Sequence, residues 1–213
     1  VTIVTPTCNR YYLFEMAIRN YNNFNYPREK LNWIILDDSK DDSLKTQLPN
    51  DKSITYIHSD NKETIGKKRN RLANESKSKV ICHMDDDDYY YPDSVKIRVI
   101  TLIANKKAVC GCIEYNCYNL INDTQFIARG NTNDYNVGEA ALCYLKDYWS
   151  SNYFNDVDTH EEAIEFLTSA MEKIKTTRQT SFEEAVVYVR LHIALLYLHG
   201  GDESKAKTEV AKD

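Results

Sequence analysis

The sequence predicts an α/β fold in which a mostly parallel central sheet is flanked by helices and followed by a C-terminal helical tail. Two observations support this prediction. Over roughly the first hundred residues, short apolar or β-branched runs alternate with segments of helical spacing, which is typical of parallel strands joined by right-handed helical crossovers. From about residue 159 the spacing is helical, and it predicts helices at 160–175, 181–199 and 202–212.

The individual elements follow from where each apolar run ends. The run at 1–5 alternates β-branched residues and is ended by Pro6. A buried strand is predicted at 33–36, a short strand at 54–58 and a further apolar strand at 80–84. Helices are predicted at 13–21, 64–75 and 92–105. A strand at 108–119, a polar loop near 131–136 and an apolar run at 140–145 complete this part of the chain.

Composition narrows the classes of partner. The chain has 213 residues, 42% of them apolar and 28% charged, with a net charge of -5, which is ordinary for a globular protein. The acidic balance gives no general attraction to nucleic acid or to an anionic membrane. No apolar stretch is long enough to span a bilayer, and no signal peptide is visible because Val1 opens directly into a strand. The missing initiator Met indicates a processed chain or an excised domain.

The six cysteines predict reduced structural thiols in a cytoplasmic protein. Cys8 and Cys82 lie in or beside apolar runs, as buried free thiols do. The cluster of Cys110, Cys112 and Cys117 lacks the paired spacing of a zinc site, and no histidine lies near it in the sequence.

Four consecutive aspartates, Asp85 to Asp88, directly follow the predicted strand at 80–84. Two carboxylates about 5 Å apart repel each other by roughly 3 kcal/mol at an effective dielectric constant near 20. Ligands of open α/β sheets bind at the carboxyl ends of strands, and a Mg²⁺ or Mn²⁺ ion would turn this repulsion into attraction. The alternative is a solvated acidic turn that caps the next helix.

Four short motifs follow one another at consistent spacing. They are Val-Thr-Ile-Val-Thr-Pro-Thr-Cys-Asn-Arg at 1–10, Ile-Ile-Leu-Asp-Asp-Ser at 34–39, Gly-Lys-Lys-Arg-Asn at 66–70, and Met-Asp-Asp-Asp-Asp at 84–88 with Tyr-Pro-Asp at 91–93. In this order they resemble the nucleotide-sugar glycosyltransferases of the GT-A fold, most closely family 2. The resemblance covers residues 1–100 well and 110–165 loosely. The chain is also similar to glycosyltransferase domains encoded by large chlorella viruses, which implies a viral protein.

The resemblance assigns roles to the four aspartates. It implies that Asp87 is the main metal ligand, with Asp85 as a second ligand. Asp85 or Asp86 would face the ribose hydroxyls or a metal-bound water. Asp88 would lie behind the metal ligands or on the acceptor side.

The same resemblance implies that residues of the other motifs bind the nucleotide-sugar donor. Asp38 would accept a hydrogen bond from the uracil ring, although an aspartate here also suits the cap of a turn. Lys67 and Arg69 would offset the charge of the diphosphate, whereas a solvated basic face explains Lys67 and Lys68 equally simply. The walls of the base pocket would come from Thr5, Pro6, Thr7 and Arg10.

The acceptor hydroxyl would need a base if the reaction inverts the anomeric centre. Glu161 and Glu162 are the predicted catalytic residues, with Asp156 and Asp158 in reserve. Their spacing departs from the family pattern, and acids of a first helical turn explain both glutamates as well. His160 would be either a metal ligand or structural. A retaining reaction would need no such base, so the stereochemistry stays open.

Taken together, the resemblance implies transfer of a hexose or deoxyhexose from a UDP-sugar, such as a UDP-glucose-like donor, to a glycan hydroxyl, with Mn²⁺ or Mg²⁺ as the cofactor. Residues 1–155 would form the GT-A domain, with a nucleotide-binding half at about 1–90 and an acceptor half at about 91–155. Residues 156–213 would form a helical extension packed on it, and further domains of a longer polypeptide are possible partners. The alternatives are a nucleotidyltransferase of similar fold, disfavoured by the absence of glycine from 6–10, and a non-catalytic sugar-nucleotide-binding or helical interaction module.

Overall fold

Strands and helices alternate through the first half of the chain, as expected. The strands are β1 (Thr2–Thr7), β2 (Asn32–Asp37), β3 (Ile54–His58), β4 (Val80–His83), β5 (Val109–Cys112), β6 (Glu114–Asn119), β7 (Thr124–Arg129) and β8 (Gly138–Leu145). The helices are α1 (Glu15–Asn23), α2 (Ile65–Glu75), α3 (Ser94–Ala104) and α4 (Lys146–Trp149), with 3₁₀ turns at Arg28–Lys30 and Ser43–Gln47. The structure, a computed structural model, describes residues 1–112, 114–119, 121, 123–129, 137–157, 163 and 165–168.

A six-stranded sheet with the strand order β3-β2-β1-β4-β8-β5 lies at the centre. Strands β1 to β4 are mutually parallel, with Ile3 opposite both Trp33 and Cys82, while β8 runs antiparallel to β4. This arrangement confirms the predicted α/β fold with a mostly parallel sheet flanked by helices. It brings the ends of β1 and β4 to the same edge. The four consecutive aspartates, Asp85 to Asp88, begin there and form the acidic turn.

The core forms where β-branched and aromatic residues of β1 and β2 meet α1. All six residues of β1 are buried. The Trp33 ring stacks on the rings of Phe14 and Tyr21, at centroid separations of 5.7 and 4.8 Å. A buried aromatic side chain removes a large apolar area from water, so this stack is a major source of stability.

The predicted boundaries differ from the observed ones by a few residues, apart from β3, which has the predicted bounds. Thr64 caps α2 by accepting a hydrogen bond from the Lys67 amide, so the helix begins one residue later than predicted. The segment 108–119 was predicted as a single strand, and this is wrong, since β5 and β6 belong to different sheets. Strand β7 was not predicted at all. The predicted loop at 131–136, the helices at 181–199 and 202–212 and most of that at 160–175 lie outside the described residues.

The chain divides into two compact units. The first comprises Val1–Cys110 and Glu139–Met171 and includes most of the six-stranded sheet. The second comprises Gly111–Gly138 and Glu172–Asp213. Its described part contains the antiparallel pair β6–β7, in register from Glu114 opposite Arg129 to Asn119 opposite Thr124. Among the described residues, no helix is both long and apolar enough to cross a membrane.

Candidate active site

An open, polar cleft of about 250 Å³ lies at the carboxyl ends of β1 and β4, beside the first turns of α2. It is lined by Pro6, Thr7, Cys8, Arg10, Ile65, Lys68, Asp85, Asp86 and Asp87. Because β1 and β4 are adjacent and parallel, residues that follow them emerge side by side. The structure therefore brings the first and last of the four sequence motifs together at the edge where α/β proteins bind ligands.

The carboxylates of the acidic turn have different environments. Asp86 is buried and accepts a hydrogen bond of 2.5 Å from Thr7 Oγ1. Burial raises the pKa of Asp86, and the neighbouring Asp87 and Asp85 charges add to this, against the opposing effects of the Thr7 bond and the Arg10 charge. The residue Asp88 is exposed, yet desolvation of its carboxyl group and the charges of the other three aspartates raise its pKa to about 6. Mutual repulsion and desolvation therefore disfavour full ionisation of the four carboxylates in this turn.

Two arginines approach this turn. Arg10 Nη2 lies 3.1 Å from Asp87 Oδ2, and both side chains are partly exposed, at 40% and 49%. Asn9, just before Arg10, has a φ of 55° and donates its amide hydrogen to Ser39 Oγ. Asparagine tolerates this left-handed conformation better than most residues. The buried Arg69 lies 3.4 Å from Asp85 Oδ1. Both arginines therefore contact carboxylates of the turn, an interaction that the sequence did not predict.

Asp38 and Lys68 form a buried ion pair at the end of β2. Lys68 Nζ donates to Asp38 Oδ1 at 2.9 Å and to the Thr7 carbonyl oxygen at 3.2 Å, while Asp38 Oδ2 accepts the Glu63 amide at 2.8 Å. Burial on its own would raise the pKa of Asp38, but the hydrogen bonds from Lys68 and Glu63 and the Lys68 charge outweigh it and lower the pKa. Lys67, predicted to face the donor, is exposed to solvent, and Lys68 lines the cleft instead.

Thr5, predicted in the pocket wall, is wholly buried beneath the cleft. Its hydroxyl accepts a hydrogen bond from Trp33 Nε1 at 2.9 Å and donates to the Met84 carbonyl oxygen at 2.7 Å. These bonds tie β2, β1 and the residue after β4 together. In this position Thr5 supports the floor of the cleft.

His83, at the end of β4, is a buried titratable residue that sequence reasoning did not single out. Its Nδ1 lies 2.9 Å from Arg69 Nη1 and 2.8 Å from the Glu139 carbonyl oxygen, and its Nε2 lies 3.2 Å from the Tyr144 hydroxyl. Burial, reinforced by the Arg69 charge, lowers the pKa of His83 well below its usual value. The imidazole is therefore neutral and helps to fix Arg69.

A second open cavity, of about 400 Å³, adjoins the loop after β1 and the loop after β2. It is lined by Asn9, Tyr11, Tyr12, Ser39, Asp41, Ser43 and Leu44. The rings of Tyr11 and Tyr12 meet edge to face at 5.2 Å, and both are exposed. These aromatic residues were not predicted from the sequence, although their position directly after Arg10 was a usable signal.

The carboxylates at the wall of the cleft are suitable ligands for a hard cation bound in an open site. Asp85 and Asp87 offer only carboxylate oxygens at the wall of the cleft, and oxygen is the ligand that Mg²⁺ and Mn²⁺ prefer. Within the described part of the chain, no three His, Cys, Asp or Glu side chains converge on a single point. A cation here would therefore need further oxygen ligands from a bound anion or water.

The predicted catalytic residues Glu161 and Glu162, together with His160 and Asp158, lie outside the described residues. Asp156 is described. It accepts a hydrogen bond from Thr64 Oγ1, the cap of α2, and the neighbouring Val157 carbonyl oxygen accepts the Gly66 amide. The segment before the predicted base is thereby attached to the start of α2, one residue from the cleft-lining Ile65.

The chain belongs to glycosyl transferase family 2, whose model matches residues 2–162. The fold is correspondingly that of the GT-A glycosyltransferases. A search of curated protein sequences finds no match to the chain.

Solved structures agree on the fold at low sequence identity. TarS 1-349 from S. aureus in complex with UDP-GlcNAc matches with a TM-score of 0.61 and 15% identity, over 80% of this chain and 53% of that chain. The mannosyltransferase PcManGT from Pyrobaculum calidifontis, in complex with GDP-Man and Mn²⁺, matches with a TM-score of 0.58 and 14% identity, over 73% of this chain and 47% of that chain. The matched part of the chain thus spans about half the length of each.

Proposed function

We propose that the protein is a metal-dependent glycosyltransferase that moves a hexose or deoxyhexose from a UDP-sugar to a hydroxyl group of a glycan. The observation that carries this proposal is the cleft of about 250 Å³, whose lining combines the cations of Lys68 and Arg10 with the carboxylates of Asp85 and Asp87. A site with both charges at one strand edge suits a diphosphate bridged to a divalent cation. Membership of the family supports the same activity.

Asp87 and Asp85 are the residues that would hold Mn²⁺ or Mg²⁺. Asp87 is the more accessible of the two, since its side chain is 49% exposed against 26% for Asp85. The bound ion would act as a Lewis acid that stabilises the charge developing on the departing diphosphate. Arg10 would exchange its contact with Asp87 for a phosphate oxygen, because a guanidinium binds both groups well.

The cations and the loop after β1 would position the rest of the donor. Lys68 and Arg69 would balance the diphosphate charge. Pro6 and Thr7 would flank the nucleoside. The Asp38 side chain is wholly buried and holds Lys68 and the Glu63 amide, so the hydrogen bond from the base that the resemblance implies would require this carboxylate to become accessible at the cleft. Uridine is favoured by the sequence resemblance and by the UDP-GlcNAc complex of TarS, whereas PcManGT binds GDP-Man.

Deprotonation of the acceptor hydroxyl is assigned to Glu161 or Glu162 if the reaction inverts. The hydrogen bond from Thr64 to Asp156 and that from Gly66 to Val157 support this assignment, because they attach the preceding residues beside the cleft. Residues 1–155 would act as the transferase domain and 156–213 as a helical extension. The sequence resemblance to domains of large chlorella viruses implies a role in the cytoplasm of an infected host, which fractionation of infected cells would test.

Turnover of nucleotide sugars, measured as release of nucleoside diphosphate, tests the proposal directly. A panel of UDP- and GDP-sugars would be incubated with the protein, with Mn²⁺, with Mg²⁺ and with EDTA. We expect hydrolysis of at least one UDP-sugar with either metal, and none with EDTA. Turnover that is unaffected by EDTA would contradict the metal assignment. Turnover of GDP-sugars alone would contradict the choice of uridine, and binding without turnover of any sugar would indicate a non-catalytic module.

A further inference from the structure

The side chain of Asn20, on α1, forms two hydrogen bonds with the backbone of the acidic turn and the residues that follow it. Its Nδ2 donates to the Asp88 carbonyl oxygen at 2.7 Å, and its Oδ1 accepts the Tyr90 amide hydrogen at 3.1 Å. One partner is an acceptor and the other a donor, so the orientation of the amide group is fixed. Asn20 is only 2% exposed, and a buried polar side chain on an otherwise apolar helix face needs such partners.

Tyr90 forms hydrogen bonds at the start of the same turn and to the central sheet. Its phenol oxygen accepts the Asp85 amide hydrogen at 2.9 Å and donates to the Ala140 carbonyl oxygen on β8 at 2.8 Å. The Arg98 guanidinium lies 5.6 Å from the centre of the Tyr90 ring, and the Phe24 ring meets it edge-on at 6.5 Å. The phenol is thereby held between the start of the turn and the central sheet.

Both contacts are made by neutral groups to backbone atoms. Arg10 and Arg69, by contrast, each contact a carboxylate of the turn and neutralise part of its charge. Four adjacent carboxylates tend to spread apart, because each pair is mutually repulsive. Asn20 and Tyr90 oppose this spreading without reducing the negative charge that a cation would meet.

We propose that Asn20 and Tyr90 are positioning residues that hold the acidic turn in its cation-binding conformation while leaving its carboxylates free for the metal. This inference rests on the proposed function, since it concerns the same metal site. Residues that orient metal ligands without touching the metal commonly change metal affinity by about 10- to 100-fold when they are replaced. The corresponding prediction is that removing either contact weakens Mn²⁺ binding.

The test compares Asn20→Ala and Tyr90→Phe with Tyr21→Phe as a matched control. Tyr21 is the neighbour of Asn20 on α1 and is also buried, and its phenol lies 2.8 Å from Ser53 Oγ, away from the acidic turn. Free Mn²⁺ would be titrated by electron paramagnetic resonance, with and without UDP, at a temperature where circular dichroism shows every variant to be folded. We expect the dissociation constant for Mn²⁺ to rise about tenfold in Asn20→Ala and Tyr90→Phe, and to stay unchanged in Tyr21→Phe.

Hydrogen exchange adds a measurement that does not depend on the metal. The amides of Asp85 and Tyr90 donate to the two proposed positioning groups, so peptides covering 84–91 should exchange about tenfold faster in Asn20→Ala than in Tyr21→Phe. A result in which the turn opens but Mn²⁺ affinity is retained would overturn the positioning role.

The failures of the two proposals can be told apart. Wild-type affinity in Asn20→Ala and Tyr90→Phe, combined with loss of binding in Asp87→Asn, would overturn the positioning role and leave the metal site intact. Wild-type protein that binds no Mn²⁺ even with UDP would overturn the proposed metal site, and the positioning role with it.

Discussion

Lys68 Nζ lies 2.9 Å from Asp38 Oδ1, and the two side chains are only 8% and 0% exposed. The pair connects α2 to the end of β2 and also holds the end of β1, because Lys68 donates to the Thr7 carbonyl oxygen. A buried ion pair contributes little net stability over an apolar pair, but losing one partner leaves a buried charge uncompensated. The cleft is thus built around a contact that tolerates single substitutions poorly.

Lys68→Met should lower the free energy of unfolding by about 3 to 5 kcal/mol, since it strands the Asp38 carboxylate in the protein interior. Urea denaturation followed by circular dichroism measures this change. Lys67→Met is the matched control, because Lys67 is exposed, and it should change stability by about 0.5 kcal/mol or less. The double variant Lys68→Met with Asp38→Leu should recover much of the loss. Equal effects of Lys67→Met and Lys68→Met would contradict the buried pair.

The lowered pKa of Asp38 predicts an acid-dependent contribution to stability. The ionised carboxylate is favoured in the folded chain, whose pKa lies below the unfolded value of about 3.9. Its contribution is therefore complete above about pH 5 and is lost as the pH falls through the folded pKa. The stability difference between wild type and Asp38→Asn, measured in urea from pH 7 to pH 3, should be largest near neutrality and should shrink in acid. A difference that grows in acid would refute the sign of this shift.

Asp87→Asn should abolish Mn²⁺-dependent binding of a UDP-sugar while leaving the fold intact. The Asp87 side chain is about half exposed and its partner Arg10 is also partly exposed, so losing this pair should change stability by less than about 1 kcal/mol. Isothermal titration calorimetry with UDP and Mn²⁺ measures the binding. Asp88→Asn serves as the comparison, because Asp88 does not line the cleft, and it should retain binding. Unchanged affinity in Asp87→Asn would exclude this residue as the metal ligand.

The left-handed backbone at Asn9 predicts that substitutions at this position differ in their effect on stability. Asn9→Val should lower stability by about 1 to 2 kcal/mol, because a β-branched residue is disfavoured at a φ of 55°. Asn9→Gly should be nearly neutral, since glycine adopts this conformation without strain. Thermal unfolding of the two variants measures the difference, and a valine variant as stable as the glycine variant would contradict it. The side chain is exposed, so lost packing does not confuse the comparison.

The central fold could be predicted because its parallel strands are short apolar or β-branched runs that alternate with segments of helical spacing. The runs at 33–36 and 81–84 are buried on both faces of the sheet, as parallel strands between helices are. Strand β7 could not be predicted in the same way. Among the residues that the structure describes, it pairs with β6 alone. Phe126 and Ile127, on opposite faces of the strand, are both exposed, so no alternating pattern marks it.

The sequence predicts which edge of the sheet carries the candidate site. It does not predict which side chains contact one another there. The positions of Arg10, Asp38 and the acidic turn follow from strand ends, which sequence patterns identify. The burial of Lys68 depends on the rotation of α2, whose inner face continues through Leu72 and Ala73. Counting back four residues from those apolar positions gives Lys68 and Arg69, a signal that the basic character of this segment obscured.

The contacts of Asn20 and Tyr90 were out of reach of sequence reasoning for a different reason. Asn20 lies within the helix predicted at 13–21, and Tyr90 follows the acidic run. The backbone partners of Asn20 are 68 and 70 residues away, and those of Tyr90 are 5 and 50 residues away. Backbone groups carry no sequence signature, so only the packed structure reveals these bonds.

The hydrogen bond from Trp33 Nε1 to Thr5, and from Thr5 to Met84, gives the protein a built-in optical reporter. The chain contains only two tryptophans, Trp33 and Trp149, and Trp33 is wholly buried at the floor of the cleft. In a Trp149→Phe background, the remaining tryptophan fluorescence would come from Trp33 alone. Its emission wavelength and its quenching by acrylamide would then follow, without any added label, whether the strand that carries the acidic turn shifts when a ligand enters from above.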